Sequence, residues 1–465
     1  MLKILIEKEF REIISSKKFV YSFLMCSFLI ILTFFVGAKN YEVNIKKYEA
    51  AVSENIRAMK GITDWRMIEH KIFLPPTPLS SIVSGVSNDV GRTIDMAGRG
   101  ELNTYDSRYN ESPIFAAFRF LDLNFLFQVI LSLFAILFAY NAINGEREQG
   151  TLKLTFSNAV PRDKYIISKI IGSSAVLLTT ISIPLLVGIL ILMIMGIPLQ
   201  SEEWIKLILI LLSGYLFLMC FTVLSVFVST VTKKSSTSFL VMLVLWIFTI
   251  LVIPRASVLI AGRMVDVPSL DKMNAQKSLY NRQVAKESFE KMKNFKLEEG
   301  NDPMTAINKL MEENSQEIDS KTRVFNKQLN EERRNKLIKQ EEVSFALARI
   351  SPSACFNFAV SELAGTSLSL IRDFEESANE YQSIYEKFQL EKTGSATGSG
   401  MRMIIRTEGE ELKEIDPGEL PQFRFKGASV SEIISRATVD MGILGLFVLI
   451  FFAASYIRFL KYDVR

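Results

Sequence analysis

The sequence predicts an all-α polytopic membrane protein with six transmembrane helices and a mainly helical extracytoplasmic domain. Hydrophobic residues make up 49% of the 465 residues, and the mean hydropathy is +0.23. The apolar residues are concentrated in long uncharged runs, and one run, 170–199, has thirty residues without a charge. About 20 apolar residues suffice to cross the hydrocarbon core of a bilayer. These runs exclude a wholly soluble protein.

Each predicted element follows from the alternation of apolar runs and polar segments. Residues 1–18 are predicted to form an amphipathic N-terminal helix, and 459–465 a cytoplasmic tail. The first apolar run is longer than the 7–15 residues of a typical signal-peptide core, so we interpret it as an uncleaved anchor. The six predicted spans are 19–37, 123–143, 170–196, 205–232, 235–261 and 437–458.

Basic residues in the connections predict that both termini are cytoplasmic. Segments 1–18, 144–169, 233–236 and 458–465 carry five, five, two and three Lys or Arg residues, whereas 196–204 carries none. Positively charged connections tend to remain on the cytoplasmic side of a membrane. We therefore expect a multi-pass protein of a bacterial or archaeal cytoplasmic membrane, with its N- and C-termini inside.

Two longer segments, 38–122 and 262–436, are then expected on the outer side. The second is rich in helix formers, and the apolar residues after Pro303 recur at threes, fours and sevens and form a predicted seam: Ile307, Leu310, Met311, Ile318, Phe325 and Leu329. That spacing predicts a helix that pairs with the preceding helix as an antiparallel hairpin. We interpret its many charges as a solvated helix surface. The alternative is a docking arm for another periplasmic or surface protein.

Several classes of site are excluded by composition. The three cysteines are scattered and form no CxxC pair, so neither a disulfide framework nor a cysteine metal site is expected. His70 is the single histidine and is expected on the surface. A formal net charge of +4 disfavours a nucleic-acid partner. No phosphate-binding loop of the GxxxxGK[ST] type occurs, so we expect no cofactor, no bound nucleotide and no catalytic activity in this chain.

The most informative segment is the predicted cytoplasmic loop, 144–169. It combines charges of both signs at its start with apolar residues and a glycine further on, so it could lie parallel to the membrane and contact a soluble partner. A partner that moved this loop would move the second and third spans directly. The candidate coupling residues are Glu146, Arg147, Glu148, Gly150, Thr151, Leu152, Leu154, Pro161 and Arg162.

This loop resembles the coupling region of ABC exporter permeases of the type-2 class. The run GEREQGTLKL, with Ser157 and Val160-Pro161-Arg162 after it, is similar to the family consensus of ERE-x-G-T-L, then S-x-P-V-x-R and a lysine at the next span. The proline lies later here than in that consensus. Residues 8–13, KEFREI, are similar to the elbow helix that precedes the first span.

The resemblance implies a transmembrane subunit of an ABC transporter with separate ABC ATPase subunits and a second permease, identical or a sister chain. ATP-driven closure of the ATPases would be transmitted through residues 146–154. On the residues alone, Glu146, Arg147 and Glu148 could instead merely pair with one another. The leading function is an export permease, and the alternative is a mechanical transmitter whose outer hairpin acts on a partner while nothing crosses the membrane. An intramembrane enzyme is disfavoured, because no HExxH or GxSxG motif occurs.

Overall fold

The computed structural model describes residues 1–97, 102, 104–107, 121–158, 160–294, 303–393 and 414–462. It confirms the predicted class, because it is 78% helical and its described residues include six helices long and apolar enough to span a membrane. These helices are TM1 (Lys17–Ala58), TM2 (Leu123–Glu148), TM3 (Arg162–Ile194), TM4 (Ser201–Val231), TM5 (Ser235–Met264) and TM6 (Val430–Leu460). The predicted orientation and the tail residues 463–465 lie outside what the structure describes.

The remaining elements include one helix, of 46 residues, that is longer than any of these six spans. Six further helices are α1 (Leu2–Ile14), α2 (Thr151–Ser157), α3 (Leu270–Lys293), α4 (Pro303–Ala348), α5 (Pro352–Leu363) and α6 (Ser369–Thr393). Strands β1 (His70–Phe73), β2 (Thr93–Met96) and β3 (Thr104–Tyr105) form an antiparallel sheet in that order, with Ile72 opposite Ile94. The sheet lies within the segment 38–122, which the sequence predicted to be on the outer side.

TM1 extends well beyond the predicted span of 19–37. Its single helix has 42 residues, or roughly 63 Å at 1.5 Å per residue, about twice the thickness of a hydrocarbon core. The second half is polar and is supported by i,i+3 and i,i+4 ion pairs from Glu42 to Lys39 and Lys46 at 2.8 Å. The helix therefore continues from the first span into the distal part of the molecule without a break.

The chain divides into two compact units, and the segment 262–436 is shared between them. One unit comprises Met1–Leu251 and Ser351–Arg465, and the other comprises Val252–Ile350. In the first unit, one end contains α1, the start of TM1, residues 140–158 and 160–165, and the end of TM6, and we call it the terminal face. The opposite end of the first unit is the distal domain, built from residues 55–97, α6 and 414–428.

The distal domain has a core of its own that joins the segments 38–122 and 262–436. Ile72, Ile94 and Met96 of the sheet pack against Phe374 and Tyr381 of α6. Since β1 and α6 are some 300 residues apart in sequence, neither segment completes this core alone.

His70 lies at the centre of this domain, and the expectation that it is a surface residue is wrong. The side chain is 6% exposed. Its Nε2 lies 2.9 Å from the Tyr381 hydroxyl, which donates to the Pro421 carbonyl at 2.6 Å. Its Nδ1 lies 3.5 Å from the Asn55 amide nitrogen. Burial lowers the pKa of His70 to about 4, so the ring is neutral at pH 7.

The second unit contains the predicted antiparallel hairpin. Tyr280 of α3 stacks on Phe325 of α4 with ring centroids 4.0 Å apart, and Lys291 pairs with Glu317 at 2.7 Å. Lys291 follows Tyr280 along α3, whereas its partner Glu317 precedes Phe325 along α4, so the two helices are antiparallel. One residue expected in the seam, Met311, is instead 54% exposed.

Helix α5 lies inside the bundle of spans. Phe356 stacks on Phe217 of TM4 at 4.7 Å and contacts Phe127 of TM2 at 5.7 Å. Cys355 is 0% exposed. The helix therefore packs against TM2 and TM4 in the core of the first unit.

Candidate functional site

The candidate site is the coupling segment, residues 144–157, which comprises the last turn of TM2 and most of its connection to TM3 at the terminal face. It begins with a short helix, Asn144–Glu148, and continues into α2 after Gly150. Gly150 has φ +77°, which favours glycine because a Cβ is strained there. Nothing lies within 4 Å of the position that a Cβ would occupy. The glycine is therefore required by the turn rather than by a close contact within this chain.

Glu146 is buried and joins three parts of the molecule. Its carboxylate lies 2.7 Å from the Lys169 ammonium of TM3 and 3.2 Å from that of Lys8 in α1. It also accepts a hydrogen bond from the Tyr165 hydroxyl at 2.6 Å. Lys169, only 2% exposed, reaches Glu9 of α1 at 2.6 Å. We call Lys8, Glu9, Glu146, Tyr165 and Lys169 the charge cluster.

The charge cluster depends on a close approach of α1 to TM3. A Cβ on Gly172 would lie 2.6 Å from the Cβ of Glu9, so only a glycine allows this packing. Burial raises the pKa of the Glu9 carboxyl, although the nearby Lys169 opposes that effect. Buried charges are tolerated where they are paired and hydrogen-bonded, and removing one partner is strongly destabilising. The cluster therefore fixes α1, the coupling segment and TM3 relative to one another.

The start of the coupling segment is attached to the TM4–TM5 connection. Asn144 is 0% exposed, and its amide donates to Thr232 at 3.0 Å and accepts from the Ser235 hydroxyl at 3.2 Å. Glu148 accepts hydrogen bonds from the backbone nitrogen and the hydroxyl of Ser235, at 2.9 and 2.8 Å. Ser235 is the first residue of TM5, so Glu148 satisfies a free N–H at the start of that helix.

The two candidate arginines contact the C-terminal end of TM6. Arg147 donates to the Tyr462 hydroxyl at 3.0 Å and lies 5.7 Å from its ring centroid. Arg162, the first residue of TM3, donates to the Leu460 carbonyl at 2.9 Å. Pro161 precedes it as the N-cap. The alternative in which Glu146, Arg147 and Glu148 pair with one another is therefore not the arrangement found.

The remaining candidates divide the coupling segment into an inner and an outer side. Leu152 is 2% exposed and belongs to the core, and the Thr151 hydroxyl donates to the Glu146 carbonyl at 3.2 Å. Leu154 is 66% exposed, and Lys153 and Gln149 are also exposed. The inner side packs against the rest of the first unit. The outer side is exposed and presents the apolar Leu154 between polar residues.

Sequence reasoning selected Glu146 but missed its partners. Lys169 was counted only as a charge that fixes orientation, and Glu9 only as part of an amphipathic helix. Tyr165 was not singled out, although it stacks on Phe459 at 5.3 Å as well as bonding to Glu146. The available signal was a lysine four residues after a tyrosine at the start of an uncharged run, because such a lysine enters the bundle with the helix.

Comparison with known proteins agrees with this architecture. The model of the ABC-2 family transporter proteins matches residues 3–464, nearly the whole chain, which confirms the family resemblance. A search of curated proteins gave no match. Permeases of this family are membrane transport subunits that work with an ABC ATPase on a separate subunit. The chain therefore belongs to the ABC-2 family of transporter proteins and is a transmembrane permease subunit of an ABC transporter.

Proposed function

We propose that the chain is an export permease and that ATPase motion enters it through the coupling segment. The observation that carries the proposal is the bonding of Glu146 to Lys169 and Lys8 at 2.7 and 3.2 Å. A push on the segment acts at once on TM3 and on α1, because both are tied to the same carboxylate. The contacts of Arg147 and Glu148 extend the same push to TM6 and TM5.

The outer side of the segment is the proposed docking surface for the ATPase. Leu154 is 66% exposed and points away from the core that Leu152 enters. Full burial of a leucine side chain contributes about 1.5–3 kcal/mol to association. The permease would act as a pair, with an identical or a sister chain, so that two coupling segments face two ATPase subunits.

The docking proposal is tested by a leucine substitution with a matched control. Leu154→Asp should weaken co-purification of the ATPase about tenfold or more, because it removes the apolar contact and adds a charge. Leu279→Asp in α3 is the control, since Leu279 is also 66% exposed but lies in the second unit. Equal ATPase recovery with the two variants would contradict docking at Leu154.

Coupling through the contacts of the segment is tested with a second set of variants. The double change of Glu146 and Glu148 to Lys should uncouple transport, but Glu146 is buried, so lost folding would give the same result. Glu148→Lys alone is the sharper variant because Glu148 is exposed. It should leave the protein inserted and monodisperse while reducing transport per ATP hydrolysed in reconstituted vesicles. Unchanged coupling would contradict a role for the contact with Ser235.

A second function, mechanical transmission to an outer partner, is favoured by TM1. Its 42-residue helix connects the terminal face to the distal domain, where Asn55 donates to the Lys71 carbonyl at 3.0 Å and accepts from the Lys71 nitrogen at 3.2 Å. Motion at α1 would thus reach β1 through one rigid element. In this function a periplasmic or surface protein would bind within 262–436 and nothing would cross the membrane.

The two functions can be distinguished by making TM1 more flexible beyond its predicted span. Glu49 and Ala50 are exposed, and changing both to Gly costs about 1 kcal/mol of helix stability per residue. Mechanical transmission predicts a large loss of cellular function with unchanged ATPase activity. Export predicts little change in either. Glu49→Ala is the control, because it removes the same carboxylate and keeps the helix stiff.

A further inference from the structure

A cavity of about 340 Å³ opens beside the charge cluster, within the first unit. Its walls come from α1, the first residues of TM1, the end of TM2, the coupling segment and TM3. The volume lies within the range of about 300–1,000 Å³ that is common for small-ligand pockets. The cavity is therefore large enough to admit the polar part of a small molecule.

One side of the cavity is acidic. Carboxylate oxygens of Glu9, Glu12 and Glu146 lie within 4.8 Å of one another. Two ammonium groups, of Lys169 and Lys8, pair with Glu9 and Glu146, so three negative charges face two positive ones. Among the residues that the structure describes, Glu12 has neither an ion pair nor a side-chain hydrogen bond. Glu12 is thus the carboxylate available to a ligand cation.

The opposite side of the cavity is basic. Lys17 and Lys18, the first two residues of TM1, line it. The Lys18 ammonium donates to the Tyr140 hydroxyl at 2.9 Å and lies 5.0 Å from the centre of that ring, which holds it at the rim. Lys17 has no ion pair within the described part of the chain. A ligand with an ammonium at one end and an anionic group at the other would satisfy both sides.

Two uncharged polar groups face the same space. Ser173 is 1% exposed and lines the cavity together with Asn141, yet neither side chain has a hydrogen-bond partner among the described residues. Buried polar groups nearly always have a partner in a protein or in a bound molecule. Asn141 is only half-buried, so the Ser173 hydroxyl is the buried group on this wall that is left for a bound molecule.

The location of the cavity indicates the source of the ligand. Its basic rim is the start of a membrane span, and TM1 then exposes Tyr21 and Leu24, which are 73% and 60% exposed. Apolar walls are also present at Leu137 and Phe138. Lysines at the end of a span commonly lie at the level of lipid headgroups. A molecule entering here would come from the bilayer with its acyl chains against TM1.

We propose that this cavity binds the zwitterionic headgroup of an aminophospholipid such as phosphatidylethanolamine. The ammonium group donates hydrogen bonds to Glu12, and the phosphate accepts them from Lys17 and Lys18. A primary ammonium has three N–H donors for the carboxylate and the Asn141 carbonyl oxygen. A choline headgroup has none, and a glycerol headgroup has no positive charge. The bound lipid would rest against Glu146 and so stabilise the coupling segment in place.

The test compares three phospholipids with identical acyl chains on the delipidated full chain in detergent. Native mass spectrometry should show about tenfold stronger retention of phosphatidylethanolamine than of phosphatidylcholine or phosphatidylglycerol. Glu12→Gln should abolish that preference, while Lys17→Gln should weaken all three lipids alike because they share the phosphate. Glu7→Gln is the control, since Glu7 lies on the same helix but pairs with Arg11, and it should keep the preference.

Other ligands are separated in the same assay. Equal retention of the three lipids, or an unchanged preference in Glu12→Gln, would overturn the proposal. Competition by water-soluble phosphoethanolamine as strong as that by the lipid would identify a soluble zwitterion instead. Binding of Mn²⁺ that is lost in Glu12→Gln, without any lipid preference, would identify the acidic side as a cation site.

Discussion

The terminal face and the distal domain each contain a buried polar cluster, and the two are built differently. At the terminal face Lys169 pairs with Glu9 and Glu146 at 2.6 and 2.7 Å. In the distal domain His70 is neutral and shares hydrogen bonds with Tyr381 and Asn55. The stability of the charged cluster requires all its members, because each one neutralises another, whereas the stability of the neutral cluster changes with pH. Each can therefore be broken without touching the other.

The largest effect is expected from removing the central cation of the charged cluster. Lys169→Met leaves the buried Glu9 and Glu146 carboxylates without their main counter-charge, at a cost of about 3–5 kcal/mol. We expect a strongly lowered melting temperature by fluorescence-detected size-exclusion chromatography. Lys164→Met, an exposed lysine of the same helix, is the control and should melt like the parent.

A triple variant sharpens the same prediction. Changing Glu9 and Glu146 to Gln in the Lys169→Met background removes all three charges, and should recover much of the lost stability because no unpaired charge remains buried. If the triple variant melted as low as Lys169→Met alone, loss of packing rather than of charge would be the cause.

The distal cluster should lose stability in mild acid. The pKa of His70 is about 4 in the folded protein and about 6.5 in an unfolded chain. Protons therefore bind the unfolded state more readily, and stability present above pH 6.5 is lost as the pH falls towards 4. The expected loss is about 2 kcal/mol at pH 5, measured as hydrogen exchange in β1 and α6.

His70→Gln should flatten this dependence between pH 6.5 and 5, since an amide does not titrate in that range. The assignment is unambiguous because the chain has one histidine, provided that the affinity tag contains none. An equally steep loss in His70→Gln would assign the effect to carboxylates, and the terminal face would then be the place to measure.

A smaller effect is expected where α1 packs on TM3. Gly172→Ala places a methyl group 2.6 Å from the Glu9 Cβ and should cost about 1 kcal/mol through displacement of α1. Faster hydrogen exchange within α1 would report this displacement. Gly445→Ala in TM6 is the control, because nothing lies within 4 Å of its added methyl group. Equal exchange in both variants would contradict a tight contact at Gly172.

The smallest effect is expected from an exposed ion pair. Glu317 lies between Lys291 and Lys321 at 2.7 and 2.9 Å, and these two cations lower the pKa of its carboxyl to about 2. Exposed pairs contribute little, because solvent and salt screen them. Glu317→Gln should leave the melting temperature of the full chain unchanged. If Glu317→Gln lowered the melting temperature as much as Lys169→Met, the exposure of an ion pair would not explain how much it contributes to stability.

The spans were predictable because each contains a long uncharged run, which can be recognised without knowledge of its neighbours in the fold. The continuation of TM1 to Ala58 was not, since its second half carries charges that are ordinary on a solvated helix. The antiparallel hairpin followed from apolar spacing after Pro303. The distal core did not, because Ile72 and Phe374 meet only after the chain has crossed the membrane several times.

The sequence predicted where the candidate site lies along the chain, but not which residues contact one another there. A charged turn between two apolar runs marks Glu146, and the resemblance to a known motif strengthens that assignment. Its bond to Lys8 joins residues 138 positions apart, and no local pattern encodes such a pair. Burial reversed the interpretation of Lys169 and His70 for the same reason. A buried polar residue needs polar partners, and these partners can be identified only in the tertiary structure.

TM1 would also set a mechanical ratio between the terminal face and the distal domain of the first unit. A stiff helix of 42 residues spans roughly 63 Å, so a tilt of about 10° around its Lys17 end would carry Ala58 through roughly 11 Å. The same lever reduces the force at Ala58 in proportion, compared with the force applied close to Lys17. Small strokes at the terminal face would therefore arrive at the distal domain as wide, weak movements, suited to opening and closing a contact rather than to pulling a bound partner apart.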